Sequence, residues 1–221
     1  MLTYTKITVI KKNLTPRRSR HMQPHSPLLD ALQWIGGVCY LFNKIFLSIA
    51  ERYRTRGKTQ LAQRLRIASW AIYVVGLPFI VVMLALCHNW IAASVELSGA
   101  PSMILGLYLA IRGTDTKPPK WLDRLALACI PVGFAYSIYD LHGLSHLSQW
   151  LEIGLVVGFL VGTYQLARDR ASGYLWYVLM HVACGTLMWM QGLRWFALQQ
   201  LVSLAFIGDA FTTRLRRPKT T

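Results

Sequence analysis

Apolar stretches of about twenty residues, the length that crosses a bilayer as a helix, follow one another almost without interruption from Leu28 onward. Seven can be delimited, at 28–50, 67–88, 90–112, 121–142, 147–167, 173–190 and 194–213. The expected fold class is therefore an all-α polytopic membrane protein with seven transmembrane helices. The first stretch, LLDALQWIGGVCYLFNKIFLSIA, is the least apolar, because it contains Asp30, Asn43 and Lys44. The connections are short. A basic loop, ERYRTRGKTQLAQRLR, is expected between spans 1 and 2, and a tight turn at His88 and Asn89 makes spans 2 and 3 a hairpin. The segment GTDTKPPK ends span 3, since glycine and paired prolines stop a helix, and MQGLRW joins the last two spans.

Composition changes the picture only by making it firmer. Hydrophobic residues are 54% of the 221 and charged residues 15%, a balance that suits lipid as solvent better than water. The formal charge of +15 would raise nucleic acid in a soluble chain. Here the basic residues collect on alternate connections, as the positive-inside rule requires, and no nucleic-acid partner is expected. Sixteen Lys and Arg fall on one side, from Arg52 through Lys219, and after span 1 only Arg194 falls on the other. An odd number of spans follows, with the N-terminus outside and the C-terminus inside. Six basic residues of the leader, Lys6 to Arg20, would then lie on the wrong side; a start at Met22 removes them. Cys39, Cys87, Cys129 and Cys184 lie in or beside apolar stretches without metal-ligand spacing and read as small core residues; nothing in their pattern argues for a disulfide framework or a zinc site.

Self-comparison finds a repeat. NWIAASVELSGA from Asn89 aligns with RWFALQQLVSLA from Arg194, so that Trp90 meets Trp195 and Ser98 meets Ser203. Spans 2 and 6 each carry an aromatic-xx-aromatic element, Trp70 with Tyr73 and Tyr174 with Tyr177, and spans 1 and 5 share QWIGGV and LEIGLV. This divides the chain into a basic, disordered extension (1–27), a first three-helix half (28–112), a linker with the fourth helix (113–143), a second half (144–214) and a basic cytoplasmic tail (215–221). One inverting helix between the triplets makes the halves parallel, as in transporters with two repeats.

The 3+1+3 plan resembles the SWEET-like fold, and the last 70 or so residues resemble the PnuC family of nicotinamide riboside transporters. The stretch YLWYVLMHVACGTLMWMQG sits where that family has WxxWxxxN, so Tyr174, Tyr177 and His181 occupy the motif positions and Gln191 and Gly192 the turn. A one-residue shift would bring in Trp176. Span 7, LQQLVSLAFIGDAFTTRLRR, places Gln199 or Gln200 in its outer third and Asp209 where family members carry Asn. In the family the two aromatics stack on the vitamin ring and the amide bonds it. Both tryptophans are tyrosine here and the asparagine is histidine, which keeps two ring faces and a hydrogen-bonding group while opening the substrate's identity. The resemblance implies a facilitator of vitamin-precursor uptake in a bacterial cytoplasmic (inner) membrane, with no cofactor and no enzymatic activity, its substrate trapped by a cytoplasmic kinase. It leaves homo-oligomerisation open, and thiamine or riboflavin stands as an alternative substrate.

The candidate substrate-binding residues are thus Tyr174, Tyr177, His181, Gln199, Trp176, Trp70, Tyr73 and Asp209. Tyr174, Tyr177 and His181 share one helix face, where rings and an imidazole suit a planar heterocycle, although tyrosines near a helix end also serve as interfacial belts. Glu96 and Glu152 each stand near the start of a span and read as interface residues, with ribose or cation binding as the other reading. Asp209 has ion pairing with a basic neighbour as its plainer role. Gly36, Gly154, Gly158 and Gly162 read as close-packing positions. RGKT at 56–59 lacks the leading glycine of a phosphate loop, with Arg52 in its place. His142 and His146, with Asp140, have spacing that would suit a metal-dependent membrane enzyme, the competing class.

Overall fold

The computed structural model describes residues 27–113, 116–141, 146–190, 192 and 194–216. These form seven helices: α1 (Pro27–Thr55), α2 (Thr59–Leu86), α3 (Trp90–Arg112), α4 (Lys120–Leu141), α5 (Leu147–Ala167), α6 (Ser172–Met190) and α7 (Arg194–Leu215). Each lies where the sequence places an apolar stretch. The leader with Met22, and also His142 and Gln191, lie outside the described residues.

The basic loop expected at 51–66 is a correction. α1 runs to Thr55 and α2 begins at Thr59, so only residues 56–58 turn the chain, with Gly57 at φ +74°. Arginine, lysine and glutamine are good helix formers, and a 29-residue α1 extends about 43 Å, well past a hydrocarbon core of about 30 Å. The helices therefore project beyond the core, and their arginines find acidic partners there.

The other turns follow their local chemistry. Asn89 accepts the Ala92 N–H at 3.3 Å and starts α3, and Gly113, at φ +95°, ends it. The Gln149 side chain accepts the His146 N–H at 2.9 Å and starts α5. Pro78, Pro101 and Pro131 sit inside α2, α3 and α4, a placement that packed neighbours in a membrane bundle tolerate.

Helices α1, α2, α3, α5, α6 and α7 pack in that order into a closed ring, since α7 returns to α1 and α3 meets α5; α4 rests on α3 and α5 alone. Arg54, Arg66, Asp169 and Arg214 gather at one end of the ring, which we call the basic end. Trp34, Trp90, Trp150, Trp189 and Trp195 are exposed near the opposite end. Rings at that level make the aromatic belt of a membrane interface.

Among the described residues, α1 to α5 are long and apolar enough to cross a membrane. α6 carries Tyr174, Tyr177 and His181, and α7 carries Gln199, Gln200 and Asp209. The chain is a helical membrane protein. Of the glycines read as packing positions, Gly158 and Gly162 bring α5 against α6 most tightly: a Cβ at Gly158 would stand 2.6 Å from the Trp176 carbonyl oxygen. Gly36 meets Ile80 of α2 as closely, whereas Gly154 makes ordinary contact.

Candidate functional site

The interior of the ring is polar at mid-depth. Lys44, halfway along α1, is 2% exposed. Its Nζ lies 4.3 Å from the centre of the Tyr73 ring on α2 and 4.3 Å from that of Tyr177 on α6. The hydroxyls of the two tyrosines are 3.4 Å apart, and Tyr177 Oη is 3.0 Å from Thr163 Oγ1. Two ring faces therefore clasp an ammonium, an arrangement favoured by the negative faces of aromatic rings and stronger away from water. Among the described residues, the hydrogen-bond acceptor of Lys44 is Asn43 Oδ1, at 2.8 Å. Asn43 is itself held by α2, donating to Ser69 O at 3.0 Å and to Ser69 Oγ at 2.8 Å.

One flank of this box is acidic. Tyr40, one turn before Lys44, stands edge-on to Tyr73 with centroids 4.7 Å apart and donates its hydroxyl to Glu96 Oε2 at 2.8 Å. Glu96, read from sequence as an interface residue, is thereby tied through Tyr40 to the box.

His181 stands one turn beyond Tyr177 and edge-on to it at 6.2 Å. Its Nδ1 lies 2.7 Å from Gln200 Oε1. With the amide oxygen as acceptor, Nδ1 carries the proton, so Nε2 presents a lone pair. That Nε2 is buried without a hydrogen-bond partner among the described residues, as is the indole Nε1 of Trp70. Buried polar atoms are nearly always paired, so each is a place where a ligand atom gains a bond without displacing a protein one.

The sequence candidates separate into three groups. Tyr73, Tyr177 and His181 meet at the box, and Trp70 stands beside it, 6.1 Å from Tyr73 and against Gly106 of α3. Gln200, not Gln199, bonds His181; Gln199 donates to the Gly37 carbonyl of α1 at 3.1 Å. Trp176 packs on α5 at Gly158 and Gly162, which leaves it outside the motif face.

Tyr174 and Asp209 belong to the basic end. Tyr174 donates to Glu51 Oε1 at 3.0 Å. Asp209 takes Arg52 in a two-pronged pair, at 2.9 and 2.7 Å, and also the Ser48 hydroxyl.

The basic end is closed by ion pairs. Asp169, in the turn between α5 and α6, accepts Arg66 of α2 at 2.7 Å, Arg54 of α1 at 2.9 Å and Arg214 of α7 at 3.1 Å. Arg214 also reaches Glu51 at 3.1 Å. Burial works against ionisation of the Asp169 carboxyl, but the guanidiniums of Arg66, Arg214 and Arg54 outweigh it and hold it below the usual carboxylate range. A cleft of about 330 Å³ opens beside this cluster, lined in part by Glu51, Arg54, Gln63 and Arg66.

Lys44 and Tyr40 were missed as site residues. The signal was there: of the 24 Lys and Arg, only Lys44 lies deeper than the first or last turn of a span, Arg112, Arg124 and Arg194 being at span ends, and an ionisable residue in a membrane segment is a functional candidate by default. Among the described residues, no group of three or more His, Cys, Asp or Glu side chains is placed to hold a metal. Comparison with family models, with curated proteins and with solved structures finds no match.

Proposed function

We propose that the chain is a transporter that passes a small, planar, ring-bearing vitamin precursor through the centre of the six-helix ring. The observation that carries this reading is the box at mid-depth: two tyrosine faces, a buried ammonium and an imidazole nitrogen without a partner among the described residues, supplied by α1, α2 and α6. A structural core in lipid gains nothing from such groups, which cost free energy away from water.

The resemblance to the PnuC family supplies the substrate class. Nicotinamide riboside is its named member, thiamine and riboflavin are its alternatives, and phosphorylation by a cytoplasmic kinase retains the product. Two features support the plan of two parallel triplets in a 3+1+3 order. α4 stands outside the ring, and Tyr73 and Tyr177, equivalent in the sequence repeat, face each other across Lys44. On this reading, all seven helices span a bacterial inner membrane, and the basic end is cytoplasmic by the positive-inside rule. The ion pairs around Asp169 then form the closed inner gate. Alternating access rocks one triplet against the other around the box.

The test is uptake of labelled nicotinamide riboside, thiamine and riboflavin into proteoliposomes, with Tyr177→Ala and His181→Ala as controls. Uptake of one of them that both variants lose is the expected result. No uptake above protein-free vesicles for any of the three overturns the assignment.

A further inference from the structure

We infer that Lys44 is a tethered occupant of the tyrosine pair, and that the ligand able to take its place is an aromatic heterocycle bearing a carboxylate. The inference rests on the transport reading above and decides among the substrates it leaves open.

The faces of Tyr73 and Tyr177 nearest the centre are already covered, by the Lys44 ammonium at 4.3 Å from each. A flat ligand reaches them only if that ammonium moves. What draws it away has to offer more than the two ring faces do. A carboxylate does, because a charge-assisted N–H···O bond in a site shielded from water is about twice as strong as a neutral one. Lys44 has donors to spare, since the acceptor it has among the described residues is Asn43 Oδ1. Lysine is also flexible along four methylenes, so its head can follow the carboxylate while its stem stays in α1. The ring faces it leaves are then open to the heterocycle.

The remaining groups fit the same ligand. His181 Nε2 offers a lone pair without a partner among the described residues, suited to a ribose hydroxyl or a ring N–H. Glu96, behind the Tyr40 hydroxyl, adds an acidic side chain next to the box. A zwitterion satisfies both ends, with its carboxylate on Lys44 and its ring cation toward Glu96. A ligand with a fixed cation and no carboxylate satisfies one end and repels the other.

The two ribosides of pyridine-3-carboxylic acid and of its amide isolate the point. They share the ring, the ring charge and the sugar, and differ in carboxylate against carboxamide. Binding of each to the purified full chain is measured by tryptophan fluorescence and by calorimetry, in parallel with uptake into proteoliposomes. The acid riboside is expected to bind at least tenfold tighter than the amide riboside. Lys44→Gln, monodisperse and melting as a single transition, is expected to abolish that preference while keeping measurable binding of the amide. Lys44→Arg is expected to retain part of it. Equal binding of the two, preference for the amide, or a ratio unchanged in Lys44→Gln overturns the inference; so does the absence of any binding by the acid. If uptake of other vitamin precursors persists in those cases, the transport reading stands without the inference. If nothing is taken up, both fall.

Discussion

Replacing Asp169 by Asn tests what holds the basic end together. Its carboxylate is 17% exposed and is shared by Arg66, Arg54 and Arg214, themselves 10%, 21% and 14% exposed. Removing one partner from a buried ionic cluster costs about 3–5 kcal/mol, because the remaining charges stay desolvated without compensation. Glu51 still faces Arg214, and the Asp169 carbonyl still accepts Arg214 Nη2 at 2.9 Å, so the lower end of that range is expected.

For a chain of this size, each kcal/mol moves the melting temperature by about 2–4 °C, which puts the expected loss on the order of 10 °C in detergent at neutral pH. The pH dependence carries a sign. The carboxyl of Asp169 is held below its ordinary value in the folded state, so its contribution is present above the unfolded carboxylate value of about 3.9. It is lost as pH falls through the lower folded value. The gap between wild type and Asp169→Asn should therefore be full at pH 7 and shrink below about pH 4. A variant that melts within 2 °C of wild type at pH 7, or a gap that does not change with acid, refutes the argument.

Other substitutions separate packing from polar contributions. Gly158→Ala should lower the melting temperature by several degrees, since its Cβ would press on the Trp176 carbonyl oxygen at 2.6 Å and on Met180 N at 2.8 Å, backbone atoms that cannot step aside. Gly208→Ala, where nothing lies within 4 Å of the new carbon, should be neutral or stabilising by up to about 1 kcal/mol through helix propensity; similar losses at both positions would deny that α5 and α6 are in close contact. Asn43→Ala removes two bonds to Ser69 and the acceptor of Lys44, and a destabilisation of about 2–3 kcal/mol by thermal melting is expected for buried groups left unpaired. Asp209→Asn should cost no more than about 1 kcal/mol and leave uptake intact, because its partner Arg52 is 55% exposed; loss of uptake would return Asp209 to the substrate path.

The helices were legible in the sequence because each must satisfy its own backbone in lipid, so that length and apolarity alone mark it. That is why α3 and α5 were placed to the residue. Their limits at 51–66 were not legible. Arginines that look like loop residues are helical there because acidic side chains far along the chain, Asp169 and Asp209, come to meet them.

The site was half legible. The spacing of Tyr174, Tyr177 and His181 gives one helix face correctly, but only the side chains that α1, α2 and α7 present to that face decide that Tyr177 and His181 line the box while Tyr174 turns to Glu51. Lys44 shows the division most clearly. The sequence alone determines that an ammonium lies within an apolar span, a costly placement that asks for a reason. Only the tertiary structure supplies the reason, by bringing two rings separated by 104 residues to its two sides, because which faces of six helices meet is a property of their joint packing and of none of them singly.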